Sequence, residues 1–120
     1  MSEFNQIFRT RTKNLCISII KNLSKLPFSD DLSVIRKQIY KSSTSVAANY
    51  RAVGRARSEN EKFAKMCIVV EEADETQFWL EIIEEVEYLE PHILKEIQNE
   101  NEEIVKVMTS YKKKLSLNQK

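Results

Sequence analysis

Residues 41–80, KSSTSVAANYRAVGRARSENEKFAKMCIVVEEADETQFWL, decide the fold. They hold the chain's only glycine, its only tryptophan, and its densest cluster of small residues and arginines. The stretch reads as the end of one helix, a tight turn, and the first two-thirds of another. Gly54 falls where the first helix should stop, since glycine commonly follows a helix C-terminus. Ser58 and Glu61 then stand in S-x-x-E spacing, the capping box that opens a helix, and an apolar pattern resumes at Phe63. Ser42, Ser43, Thr44 and Ser45 are weak helix formers. Their place inside a helix implies that small size is needed there, so that another backbone can approach closely.

Working outward, the same economy of turns holds along the chain. One Gly and two Pro in 120 residues leave few positions for loops, which argues for long helices with short connections. Phe4, Phe8, Leu15, Ile19, Leu23 and Leu26 recur at helical spacing, with Ile7, Cys16 and Ile20 widening the stripe. Pro27 ends that helix, and Asp30 or Asp31 is placed to cap the next. Ile35, Ile39, Val46, Tyr50 and Val53 give the second helix its apolar face. The third has two apolar sides: Phe63, Met66, Val70, Ala73, Gln77 and Leu80 on one, Ile68, Trp79, Ile83 and Val86 on the other. A helix apolar on two sides is buried on two sides. In one small domain, the second contact is expected to be another subunit. Leu94, Ile97, Asn101, Ile104, Met108, Tyr111 and Leu115 alternate spacings of three and four after Pro91, with Asn101 as a register device. The sequence thus predicts one all-α domain, an antiparallel up-down-up-down four-helix bundle with helices over about 3–26, 32–55, 58–89 and 91–115.

Charge is unevenly distributed. Residues 1–57 hold eleven Lys/Arg and three Asp/Glu, a net of +8; residues 58–104 carry −12 and residues 105–120 carry +5. Either the basic part binds a polyanion, or basic helices lie against acidic ones within or between subunits. On the second helix, Lys37, Lys41, Thr44, Ala48, Arg51 and Arg55 are spaced four, three, four, three and four apart, so they form one line. A line of cations floored by small residues can track a phosphate backbone; it can also be a solvated face or a partner for acidic helices. Arg57 lies just beyond it.

Several chemistries are excluded. No apolar run reaches the roughly 20 residues that span a bilayer, and the amino terminus lacks a secretory h-region, so a cytoplasmic location is expected. His92 is the only histidine and lacks a Glu three residues before it, so the di-metal carboxylate site of some bundles is absent. Cys16 and Cys67 lie in apolar patterns and read as small buried residues, not zinc ligands or a disulfide. One glycine cannot build a phosphate loop or a dinucleotide fingerprint. No metal, cofactor, small-molecule substrate or enzymatic activity is expected.

The run from Ser42 to Glu81 closely resembles the four-helix-bundle proteins related to 23S rRNA intervening-sequence proteins. Their pattern is approximately R-S-G-T-S-V-G-A-N-Y-R-E-A, then R-A-R-S, then E-A-x-E-T-x-Y-W-L-E. Ser42, Thr44, Ser45, Val46, Ala48, Asn49, Tyr50 and Arg51 match the first part. Arg55, Ala56, Arg57 and Ser58 match the second, and Glu72, Ala73, Glu75, Thr76, Trp79, Leu80 and Glu81 the third. Ser43 and Ala47 replace glycines, Ala52 replaces Glu, and Phe78 replaces Tyr. Members are short bacterial proteins encoded within insertions in 23S rRNA genes. The resemblance extends to the accessory protein of diversity-generating retroelements, a homopentameric barrel with basic surfaces that contacts a reverse transcriptase and nucleic acid. It implies a ring-like homo-oligomer, a pentamer, without catalytic residues. Lys37, Lys41, Arg51, Arg55 and Arg57 are then the candidate contacts to RNA or DNA, with a nucleic-acid-processing protein as a further partner. Ile68, Trp79, Ile83 and Val86 are the candidate subunit interface. The alternative is a protein–protein assembly module whose basic stripe meets acidic helices of neighbours.

Overall fold

A computed structural model describes residues 2–118. Among them are four helices and no strand: α1 (Glu3–Ser24), α2 (Asp30–Val53), α3 (Glu59–Glu85) and α4 (Pro91–Ser116). Each connection is five residues long, at 25–29, 54–58 and 86–90. The bundle measures 48 × 24 × 20 Å, a length set by helices of 22–27 residues rising about 1.5 Å per residue.

Local chemistry explains the helix ends. Ser2, Ser29 and Ser58 each accept from the amide three residues on, occupying a donor that the first turn leaves free. The cap of α2 is therefore Ser29, not either aspartate; Asp30 and Asp31 sit in its first turn, where negative charge complements the helix dipole. Pro91 opens α4, where a missing N–H costs nothing. Gly54 caps α2 in right-handed geometry, φ −66° and ψ −16°, and does not use its freedom at positive φ. The third helix stops four residues short of the expected 89. Glu87 turns to φ 58°, and Tyr88 N–H reaches Ile83 O at 3.2 Å, the closing bond of a Schellman motif.

Packing joins α1 to α2, α2 to α3, α3 to α4, and α4 back to α1, the last seam being the thinnest. Across α1 and α2, Tyr50 donates to Asn5 Oδ1 at 3.0 Å while Arg36 donates to Leu23 O at 3.2 Å, so the two helices run in opposite senses. Across α3 and α4, Asn101 pairs with Gln77, and Gln98 with Glu84, again in reversed order. The core is a continuous apolar column including Ile19, Leu23, Ile39, Tyr50, Met66, Leu80, Ile104 and Met108.

Two polar links cross that column. Thr76 donates to Ser42 Oγ at 2.8 Å, and Ser42 in turn to Ile39 O at 3.3 Å. Ser42 and Ser43 are both buried, as close approach of α2 to its neighbours requires. Asn101 is buried and donates to Ala73 O and Gln77 Oε1, which fixes the register of α4 on α3. Asn49 plays no such part: its amide donates to Ser45 of its own helix.

Candidate functional site

The six positions of the α2 line, Lys37, Lys41, Thr44, Ala48, Arg51 and Arg55, are all exposed. They must be, because Ile35, Ile39, Ser42, Ser43, Val46, Tyr50 and Val53 occupy the inward face of the same helix. The second helix ends at Val53, two residues short of the expected 55, so Arg55 stands in the loop; from Lys37 to Arg51 the line runs for about 21 Å at helical rise. Thr44 turns its hydroxyl back on its own helix, donating to Tyr40 O at 2.6 Å. The four cations find no carboxylate partner among the described residues. Arg57 is set apart, on the loop, where it approaches Glu61 at 3.7 Å.

A second row joins this line from α1, and sequence spacing on one helix did not reveal it. Arg9 and Lys13, with Gln6, Thr10 and Asn14, line a groove of about 370 Å³ that Arg51 closes from α2. A signal for it exists in the chain: residues 4–29 and 32–58 contain no Asp or Glu at all. Beyond the first turns, where Glu3, Asp30 and Asp31 sit, the two neighbours carry charge of one sign. Arg36 and Arg11 are engaged elsewhere. Arg36 holds Leu23 O, and Arg11 reaches across to α4, meeting Glu100 at 2.5 and 2.9 Å and Glu103 at 2.8 Å. Those carboxylates, by hydrogen bonding first, hold the Arg11 guanidinium well above its usual value, against some desolvation. Its charge also lies 4.7 Å from the Phe8 ring centroid, a cation–π contact.

The opposite half is acidic. Glu81, Glu85, Glu96, Glu102 and Glu103 are exposed on α3 and α4. At the α2–α3 groove, burial pushes the Glu72 carboxyl up; a Ser45 hydrogen bond opposes this, and Glu75 and Glu71 add to it. Among the described residues, no group of three His, Cys, Asp or Glu is placed to hold a metal ion. His92 lies against Glu90 in the α3–α4 connection. Cys16 is buried, which raises its thiol, and Cys67 is half-buried.

The assembly candidates on α3 divide. Ile68 and Val86 are exposed, at 39% and 45%; Phe78 on α3 and Val34 on α2 are exposed too, at 50% and 60%. Trp79 is half-buried against the edge of the core; its Nε1 donates to Glu75 at 3.5 Å, and Phe78 meets it edge-on at 5.0 Å. Ile83 is wholly buried in the chain's own core and is no part of an outer face. The reason is phase. The inward residues of α3 are Met66, Val69, Ala73, Thr76, Leu80 and Ile83, a strict three-four alternation. Phe63, Val70 and Gln77, expected inside, are half-buried flanks. The outer line is Ile68, Glu75, Trp79, Ile82 and Val86, so Ile82 takes the place expected for Ile83. Among the described residues no helix is long and apolar enough to cross a membrane.

Comparison with known proteins places these surfaces in a lineage. No curated protein matches the chain. A solved structure does: the crystal structure of a protein of unknown function from the S23 ribosomal protein family of Bacteroides thetaiotaomicron. It shares 29% identity with a TM-score of 0.80, over 91% of this chain and 97% of that one. The family model described as 23S rRNA-intervening sequence protein matches residues 5–110, from the first turn of α1 to the last turns of α4. That span takes in both cation rows, the small-residue contact of α2 and the whole of α3, and the chain belongs to the 23S rRNA-intervening sequence protein family.

Proposed function

We propose that this is a non-enzymatic, homo-oligomeric accessory protein that binds nucleic acid on its α1–α2 face. One observation carries the reading: two adjacent helices present exposed cations, and their acids, Glu3, Asp30 and Asp31, are confined to the first turns. Lys37, Lys41, Arg51 and Arg55 contact phosphates, with Arg57 at the margin. Such contacts release counterions, so affinity falls steeply with salt. The four helices run up-down-up-down, a sense supported by the reversed pairings of α1 with α2 and of α3 with α4. Subunits meet through Ile68, Trp79 and Val86 on α3, with Phe78, which packs on Trp79, at its side; exposed apolar side chains gathered on one helix mark an interaction site. A closed ring, pentameric as in the related accessory proteins, satisfies a heterologous contact of this kind without leaving ends. The chain works in the cytoplasm beside a nucleic-acid-processing protein.

The test is binding of structured RNA and DNA to the purified protein across a salt series, with Arg51→Glu and Arg55→Glu as variants. Salt-sensitive binding that both variants abolish, at unchanged mass in light scattering, supports the reading. A second reading is favoured by the acidic outer face of α3 and α4: the basic face of one copy meets the acidic face of the next. In that case the two reversals lower the mass of the particle, and no probe binds.

A further inference from the structure

We infer that the apolar strip of α3 in one copy, Ile68, Trp79 and Val86 with Phe78, docks in the groove between α1 and α4 of the next copy. An apolar ridge edged by carboxylates enters an apolar groove edged by lysines. This rests on the assembly reading above and names the surface that receives the strip.

The groove comes first. Phe4, Val107, Ser110, Tyr111 and Lys114 line a space of about 280 Å³ where the last turns of α4 lie beside the start of α1. It sits on the thinnest seam of the bundle. Phe4 meets Tyr111 edge-on at 5.8 Å and Phe8 at 4.9 Å, yet it stays exposed. Ile7, one turn on along the same face of α1, is exposed as well. The edge of the groove is basic. From Ile104 to Ser116 the chain has four lysines and no acid. Lys106, Lys113 and Lys114 are exposed, and none meets a carboxylate among the described residues. The nearest acids along the two helices are Glu3, in the first turn of α1, and Glu103, which Arg11 holds.

The strip has the opposite edge. From Met66 to Val86 the chain has seven Asp/Glu and no Lys or Arg, and Glu71, Asp74, Glu81 and Glu85 are exposed on the same helix as Ile68, Phe78 and Val86. Strip on strip, or groove on groove, sets like charges face to face, which costs affinity and selects against both pairings. The α2 line is the poorer receiver: between its cations it offers Thr44 and Ala48, and no large apolar side chain. Strip in groove matches charge at the rim and covers apolar surface at the centre, the usual arrangement of a protein interface. Two different surfaces meet, so each copy holds one of each and the contact repeats from copy to copy. It uses none of Lys37, Lys41, Arg51 and Arg55, and so leaves the α2 line to phosphate.

The experiment follows the full chain by sedimentation velocity, at a concentration well above that at which the parent assembles, with circular dichroism as the check on helix content. Ser110→Glu puts bulk and negative charge at an exposed position in the groove, and Phe78→Glu does the same on the strip. Each variant alone is expected to sediment as a monomer. Mixed in equal amounts they are expected to form a dimer of one copy each, because the first still has its strip and the second its groove. Lys114→Glu should raise the dissociation constant about tenfold at low salt and less at high salt, where rim charges are screened. The docking inference is overturned, while oligomerisation stands, by any of three results: Ser110→Glu keeps the parent's mass, the mixture stays monomeric, or Lys114→Glu acts equally at both salts. If Phe78→Glu keeps the parent's mass, or the parent is itself monomeric, the assembly reading fails with it.

Discussion

Glu87 offers a direct test of how α3 ends. It has a φ of 58°, and among the described residues no other non-glycine has a positive φ. It occupies the position just past the helix cap, where its N–H bonds Glu84 O at 3.1 Å and Tyr88 N–H bonds Ile83 O at 3.2 Å. Left-handed geometry costs a residue with a Cβ about 1–2 kcal/mol, because Cβ crowds the following carbonyl. Glycine removes that cost but widens the unfolded ensemble by about 0.4–1 kcal/mol. The net for Glu87→Gly is a stabilisation of about 0.5–1 kcal/mol. With an unfolding entropy near 2.1 cal/mol/K per residue, a chain of this length gains about 2–4 °C in Tm. Thermal and urea unfolding followed by circular dichroism, at one protein concentration, measures it. Asp74→Gly, exposed in mid-helix, is the control and should lose about 0.5 kcal/mol or more. Glu87→Asn should fall between parent and glycine. A Glu87→Gly protein that melts at or below the parent would refute the argument, since the αL turn would then be imposing no strain.

Three further outcomes are expected. Ile83→Ala should cost about 2–5 kcal/mol, as emptied core sites do, whereas Phe78→Ala should lower particle mass in light scattering with little loss of subunit stability; a reversal of these two effects would restore Ile83 to the interface. Thr76→Val keeps shape but loses the donor to Ser42, and should cost about 1 kcal/mol in urea unfolding; a neutral result would make that bond incidental. Glu72 supplies a pH dependence. Burial favours its protonated form in the fold, so the native chain keeps the proton to a higher pH than the unfolded one, and stability falls as pH rises from 4.5 through the raised value. Glu72→Gln should therefore match the parent at pH 4 and below and gain on it toward neutral pH. A constant difference in urea midpoint across that range would rule the mechanism out.

Helix number, the all-α class and most helix starts were legible because each rests on local chemistry. Serine caps, two prolines and three-four spacing act within a few residues of themselves. The phase of α3 was not legible. Phe63, Ile68, Val69, Val70, Phe78, Trp79, Ile82 and Ile83 surround the helix, so two stripes fit equally well. The true one passes through Ala73 and Thr76, which look like breaks in an apolar pattern until Ser42 is set against Thr76. The same holds for asparagines: Asn49 and Asn101 look alike in sequence, and only the neighbour decides that one stays on its helix while the other crosses to α3. The end of α3 was hidden because glutamate carries no left-handed signal. The α2 line of cations could be read from spacing, but its α1 companion required knowing which two helices touch.

The pairing of helices also bears on why the charge is divided at all. Opposite charges on two halves of one chain would ordinarily neutralise each other across the seams between them. Here the α2–α3 seam is closed by the uncharged pair Ser42 and Thr76, and the α1–α2 seam by Tyr50, Tyr40 and Arg36 donating to neutral acceptors. Arg11 crosses the thin α1–α4 seam to Glu100 and Glu103. The cations of the α2 line are left facing outward, about 21 Å of them, Lys37 to Arg51, on the helix itself. Surface charge held this way adds little to folding, because exposed pairs contribute at most about 1 kcal/mol even when formed. Like-charge rows on neighbouring helices repel and cost stability. The line therefore costs the fold a little stability, and neither the α2–α3 nor the α1–α2 seam draws on its charge.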